Sequence, residues 1–232
     1  MMMGEPDVTE PNVDRRPLPV RRWSIWIPAA RRLAALGATP NGISGLGLAF
    51  GAAAGAALFA TARADAAWGA RTFWLLSALL IQLRAMCNLL DGVVAVETCR
   101  MSRVGELYNE VPDRISDAAM LVGAGFAAGG SPVWGFAAAI LAVFVAYIRA
   151  LTKATGAPQD YCGPMAKPMR MQLVSLAALY MMVAPTSAYL HWGPDQRFGV
   201  MAIALMIIVA GCIITAARRL VRAARHLKAG AP

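Results

Sequence analysis

Apolar residues fill most of this chain in long windows, and one run of acids, amides and glycines interrupts them. Six windows carry roughly the 20 mainly apolar residues that a bilayer-crossing helix needs. They are Pro40–Ala62, Thr72–Val96, Asp113–Gly130, Pro132–Leu151, Met171–Leu190 and Phe198–Ala217. Ahead of them, Val20–Leu36 mixes Arg21, Arg22, Arg31 and Arg32 with Trp23, Ile25, Trp26 and Ile27. That mixture predicts an amphipathic helix in the membrane interface, tryptophans at headgroup level and arginines toward anionic lipid. The pattern as a whole predicts an all-α membrane protein, six transmembrane helices preceded by an N-terminal interfacial amphipathic helix. Helices satisfy their own backbone groups in lipid. A membrane barrel would need short alternating segments, which this sequence lacks.

The expected organisation is a disordered cytoplasmic tail over 1–19, the interfacial helix over 20–36, a six-helix transmembrane domain over 37–220 and a basic cytoplasmic tail over 221–232. Residues 1–19 hold Glu5, Asp7, Glu10, Asp14 and four prolines but no apolar core, so they do not read as a cleavable signal peptide. Composition agrees with a membrane location: 58% of the 232 residues are hydrophobic and only 15% are charged, against about a quarter in ordinary soluble domains.

The net charge of +9 is distributed unevenly. Only Arg63, Arg71 and Arg197 fall on one side of the predicted spans, Arg84 lies within one, and the remaining Lys and Arg fall on the other side. By the positive-inside rule both termini and the polar run face the cytoplasm, as expected for a bacterial inner membrane protein. The charge is thus a topology and lipid-surface signal, and nucleic acid is not an expected partner. The four cysteines, Cys87, Cys99, Cys162 and Cys212, form no C-x-x-C pair or zinc spacing. Gly47, Gly51 and Gly55, and again Gly125 and Gly129, recur at the four-residue spacing that lets membrane helices approach closely.

The polar run is Asn88-Leu-Leu-Asp91-Gly92-Val-Val-Ala95, followed by Gly105-Glu-Leu-Tyr-Asn109-Glu110-Val-Pro-Asp113-Arg114-Ile-Ser-Asp117. A carboxylate near lipid costs at least ~2.5 kcal/mol and usually marks a site that needs it. Asn88, Asp91 and Ala95 share one helix face, and so do Asn109, Asp113 and Asp117. Oxygen donors from two helices suit a hard divalent cation, which takes carboxylates together with substrate phosphate oxygens. Gly92 and Gly105 leave room for a ligand or a neighbouring backbone.

This arrangement resembles the signature of the CDP-alcohol phosphatidyltransferase family, D-x-x-D-G-x-x-A-R, eight residues, G-x-x-x-D-x-x-x-D. Asn88 takes the first acidic position, Asp91, Gly92 and Ala95 fall on theirs, Val96 replaces the arginine, Gly105 matches, Asn109 takes the third acidic position and Asp113 the fourth. Thr39-Pro40-Asn41 is also similar to the family's opening of its first span. The resemblance implies transfer of a phosphatidyl group from CDP-diacylglycerol to a small polar or phosphorylated alcohol, with release of CMP. It implies two Mg2+ or Mn2+ ions and a homodimer. Carried over, Asn88, Asp91, Asn109 and Asp113 are the metal positions and Asp113 the base. Asn41, Gly92, Ala95 and Gly105 hold the CDP moiety.

Two of the four expected acids are amides, so charge is missing from the pattern. Glu110 and Asp117 are candidates to restore it as further metal ligands. Each has a plainer reading: Asp117 as the partner of Arg84, Glu110 as a solvated loop acid. Pro112 predicts that the helix begins next to Asp113. Arg100 and Arg103 are candidates for the diphosphate contact that Val96 does not supply. Arg149 precedes a Gly- and Pro-rich loop over 156–170 that carries Lys167 and Arg170, and the three are expected to contact an anionic acceptor. The alternatives are a catalytically silent relative that binds nucleotide lipid or acts as a membrane scaffold, and an ion relay through Arg84, Asp91 and Asp117.

Overall fold

The structure is a computed structural model that describes residues 26–97, 103–158, 160–185 and 198–229. The tail expected over 1–19 lies outside the described residues, as do Arg100, the start of the interfacial helix and the end of the fifth expected span. Within the described residues there are seven helices and no sheet: α1 (Trp26–Ala35), α2 (Pro40–Thr61), α3 (Ala67–Glu97), α4 (Arg103–Gly125), α5 (Pro132–Ala154), α6 (Lys167–Val183) and α7 (Val200–Ala229). Four of them, α2, α3, α5 and α7, are long and apolar enough to cross a membrane. The polar run enters the first half of α4, and α6 has 17 residues.

Helix α1 lies against α3. Ala30 is sealed off in a small apolar cluster with Ile43, Cys87 and Val94, while Arg31 reaches Glu97 at 2.8 Å. Helix α2 starts sharply because Thr39, in extended conformation, caps it with its hydroxyl 3.1 Å from the Gly42 amide, and Pro40 sits in the first turn where no N–H is needed. The main core joins the other helices through Leu58, Trp74, Ile81, Leu121, Ile148, Met201, Leu205 and Ile208, all fully buried.

Glycines set the closest approach. A Cβ on Gly55 would stand 2.4 Å from the Ala119 carbonyl oxygen, and one on Gly123 would stand 2.2 Å from the Gly55 oxygen. A Cβ on Gly51 would meet the Ser116 side chain at 2.5 Å. Helices α2 and α4 are therefore in backbone contact over successive turns, as the glycine row in α2 predicts. The second expected row is different. Gly125 faces Gly135 of α5, but Gly129 has φ +68° and lies in the turn beyond α4, where a left-handed residue is required.

Two further boundaries depart from expectation. Helix α4 begins at Arg103 and runs through Pro112 without a break. A mid-helix proline forfeits one backbone bond. Here the turns on both sides are fastened by side chains: Asn109 toward Ser44, Glu110 to Arg114, and Asp113 to α3 and α6. Asn109, Asp113 and Asp117 thus share a regular helix. At the other end, the basic segment from residue 221 continues α7 as helix to Ala229.

The backbone contact predicts a contrast between two glycines of α2. Gly55→Ala forces two helices apart and is expected to lower stability by about 1–3 kcal/mol. Gly45→Ala, with nothing within 4 Å of the added carbon, is expected to be neutral or stabilising by up to ~1 kcal/mol. Thermal unfolding of the two purified variants in one detergent checks the difference.

Candidate active site

The polar residues of α3 and α4 meet at one end of the bundle, where the first turns of α2 and α6 also arrive. Asp91 on α3 is 4% exposed. The Ser44 hydroxyl of α2 donates to its Oδ2 at 3.0 Å and lies 3.5 Å from the amide oxygen of Asn109 on α4 and 3.1 Å from the Pro40 carbonyl. One hydroxyl proton serves three acceptors, so this nest of oxygens from three helices is rich in lone pairs. Among the described residues no basic side chain forms an ion pair with Asp91.

Asp113, one turn after Asn109, sits differently. The Arg84 guanidinium of α3 grips its Oδ1, and the Lys167 ammonium, at the start of α6, lies 2.5 Å from its Oδ2. Arg84 also donates to the Asn88 amide oxygen and, at 2.8 Å, to the Ser116 hydroxyl. Gly47 makes room for it, since a Cβ there would come 3.0 Å from Arg84 Nη1. The N-terminal end of α6 adds its partial positive charge on the same side.

Glu110 and Asp117, the two acids expected to restore missing charge, are each engaged elsewhere. Glu110 lies 2.9 Å from Arg114 and 2.5 Å from Arg149. Asp117 pairs with Arg170 at 3.0 Å, both almost wholly buried. The expected partner of Asp117, Arg84, is committed to Asp113 instead, because Asp113 stands a turn nearer the level of Asn88. A regular α4 thus presents Asn109 to α2, Asp113 to α3 and α6, and Asp117 to α6.

Chemically, the nest can hold a hard cation: the Asp91 carboxylate, the Asn109 amide oxygen and the Ser44 hydroxyl are all donors that magnesium or manganese accepts. Among the described residues no three Asp, Glu, His or Cys side chains group closely enough to hold a metal by themselves. The amide and the hydroxyl must therefore contribute.

The family model for CDP-alcohol phosphatidyltransferase matches residues 37–217. The chain belongs to the CDP-alcohol phosphatidyltransferase family. It is accordingly a transferase of phospholipid synthesis, moving a phosphatidyl group from a CDP-alcohol to another alcohol, in a metal-dependent family. No curated protein matches the sequence. Among solved structures, the fold is similar to phosphatidylinositol phosphate synthase of Mycobacterium tuberculosis. With manganese and citrate, that enzyme gives a TM-score of 0.67 at 22% identity, covering 85% of this chain and 88% of the other. Its structure with CDP-DAG bound gives 0.66 at 22% identity, covering 86% and 93%.

In family terms, the four acidic positions of the signature split into two pairs. Positions 91 and 109 share Ser44, and positions 88 and 113 share Arg84. Gly92 and Ala95 follow on α3, half-buried, while Val96 is 52% exposed and points no charge anywhere. Asn41 is exposed in the first turn of α2, one turn before Ser44. Gly105 lies in the first turn of α4, and the side chain of Arg103 falls outside the described residues.

The loop between α5 and α6 is shaped by Gly156 and Gly163, both at positive φ, and closes over α7. Arg149 lies 5.7 Å from the Tyr161 ring, and Arg219 donates to the carbonyls of Cys162 and Val145 at 3.1 and 3.2 Å. Partial burial opposes charge on Asp160. Hydrogen bonds from the Cys162 amide and thiol, with Arg222 at 3.5 Å, nevertheless hold its carboxyl below the usual range. Sequence reasoning missed Ser44 and Arg219. Ser44 carries no charge and matches no motif letter, and Arg219 was one of several arginines counted toward topology.

Arg170, expected to touch substrate, is almost wholly buried and donates from its two terminal nitrogens to Asp117 and the Met165 carbonyl, while its Nε has no partner among the described residues. Removing one partner of such a pair strands the other charge. Asp117→Ala is expected to cost about 3–5 kcal/mol of stability, whereas Asp117→Asn, which keeps an acceptor for Arg170, is expected to cost less. Chemical denaturation of the detergent-solubilised variants measures both.

Proposed function

We propose that the protein transfers the phosphatidyl group of CDP-diacylglycerol to the hydroxyl of a small phosphorylated alcohol, releasing CMP, at the cytoplasmic face of a bacterial inner membrane. The observation that carries this reading is the convergence of Asp91 and Asp113 with Asn88 and Asn109 from α3 and α4, in the signature's register, beside the basic side chains of Arg149 on α5 and Lys167 on α6. The bound CDP-DAG and manganese of the similar fold support the choice of donor and of Mg2+ or Mn2+ as cofactor. In this reading α2 to α7 all cross the bilayer, α1 lies in the interface, both termini are cytoplasmic and the working form is a homodimer.

Each residue then has a task. Asp91, Asn109 and Ser44 hold the cation, which when bound neutralises diphosphate charge and eases departure of CMP. Asn41 and the backbone of Gly92 and Gly105 border the nucleotide. Asp113 takes the acceptor's proton. A carboxylate clasped by Arg84 and Lys167, with Arg114 3.9 Å from its Oδ2, is a poor base, so the nearer cation on Oδ2 must move. Lys167, at the rim toward the α5–α6 loop, is the one free to do so: an anionic acceptor draws its ammonium away and frees Oδ2. Arg149, with Lys167, suits a phosphorylated acceptor, and Arg170 positions Asp117 and α6 behind them.

Asp113→Asn is expected to lower CMP release from CDP-diacylglycerol at least ~100-fold, with thermal unfolding still cooperative. Turnover is followed with purified protein, Mg2+ and a panel of free and phosphorylated alcohols. Undiminished release in the variant removes Asp113 from the reaction, and release with none of the alcohols removes the proposed activity.

A further inference from the structure

We infer that the Arg84 side chain takes the place of a second metal ion, so that this chain binds one divalent cation. The inference rests on the reading of the site just given, but it concerns the ion count and not the turnover.

Its basis is the division of the four signature positions. A metal that bridged positions 88 and 113 would have to sit between the Asn88 amide oxygen and the Asp113 carboxylate. The Arg84 guanidinium already lies there, donating to both and to Ser116. Arg84 is 2% exposed and fits in the space that Gly47 leaves on α2, so it is built into the bundle. A guanidinium is a planar, permanently charged group with several donors in a fixed fork, well suited to linking two oxygens that a metal would otherwise link.

The two amides follow from the same arrangement. An oxygen that accepts from a guanidinium need not be charged, so Asn88 serves Arg84 as well as a carboxylate would, without adding buried negative charge. Position 109 faces the other half of the site, where Asp91 alone supplies the charge. The Asp91 and Asp113 carboxylates balance Arg84 and Lys167. Arg114 and Arg149 share the single charge of Glu110 beside them, so one divalent cation in the Asp91 nest already leaves more positive charge than the two negative charges of a diphosphate diester cancel. A second dication would stand against Arg84 and Lys167 with Asp113 as its only charged ligand.

The test counts ions with Mn2+ alone as the probe, on the purified full chain in detergent. Equilibrium dialysis is expected to give one tightly held Mn2+ per chain, and electron paramagnetic resonance a magnetically isolated ion. Two ions per chain with a spin-coupled signal overturn the inference, and so does the absence of bound Mn2+. The triple variant Arg84→Met, Asn88→Asp, Asn109→Asp is expected to gain a second ion and the coupled signal. A folded triple variant that still takes one ion removes Arg84 as the occupant. If the variant does not fold, the count in the unaltered protein still decides. CMP release is measured separately: one ion without turnover defeats the proposed function and leaves this inference standing, while two ions with turnover does the reverse.

Discussion

The buried guanidinium of Arg84 is the constraint on which the polar end of this protein depends. A permanent charge that deep in an apolar bundle must find acceptors on every side. It finds them on its own helix at Asn88 and on α4 at Asp113 and Ser116. Meeting those demands fixes the rotation and depth of α4 relative to α3. Once that is fixed, Asn109 falls beside Ser44, and Asp117 falls beside Arg170 on α6. The geometry of the candidate site and the electrostatics of the bundle are one arrangement.

Close packing makes that arrangement possible. Gly51 and Gly55 on α2 bring its backbone against Ser116, Ala119 and Gly123 of α4, and the same approach carries Ser44 to the amide oxygen of Asn109. Side-chain volume is removed from one stretch of α2 so that a hydroxyl two turns away arrives at hydrogen-bonding distance. Polar contacts worth little singly in water gain from an interior where no solvent competes for them.

The sequence made the helical class, the face shared by Asp91 and Asn88, the face shared by Asn109 and Asp113, and the glycine row of α2 legible, because each is a periodicity on one helix. It left open what lies between helices. Spacing pointed to Asp117 as the partner of Arg84, whereas Asp113 takes that place, since both lie on one face of α4 and depth decides. Glu110 and Asp117 looked available for metal until Arg149 and Arg170, distant in the chain, came to neutralise them. Pro112 misled for a local reason: its propensity to begin a helix was outweighed by tertiary contacts on both of its flanks. Ser44 was invisible because a serine in an apolar span has no signature until its neighbours are known.

The glycine contacts between α2 and α4 have a further effect on how a lipid reaches this enzyme. With backbones touching from Gly51 to Gly123, that seam is narrower than a hydrocarbon tail and is closed along successive turns. With the headgroup at Asp91, as proposed, a diacyl substrate must let its tails out through another side of the bundle. The seam thus acts as a shut door, and the direction from which the membrane delivers lipid is decided by the residues that have no side chain at all.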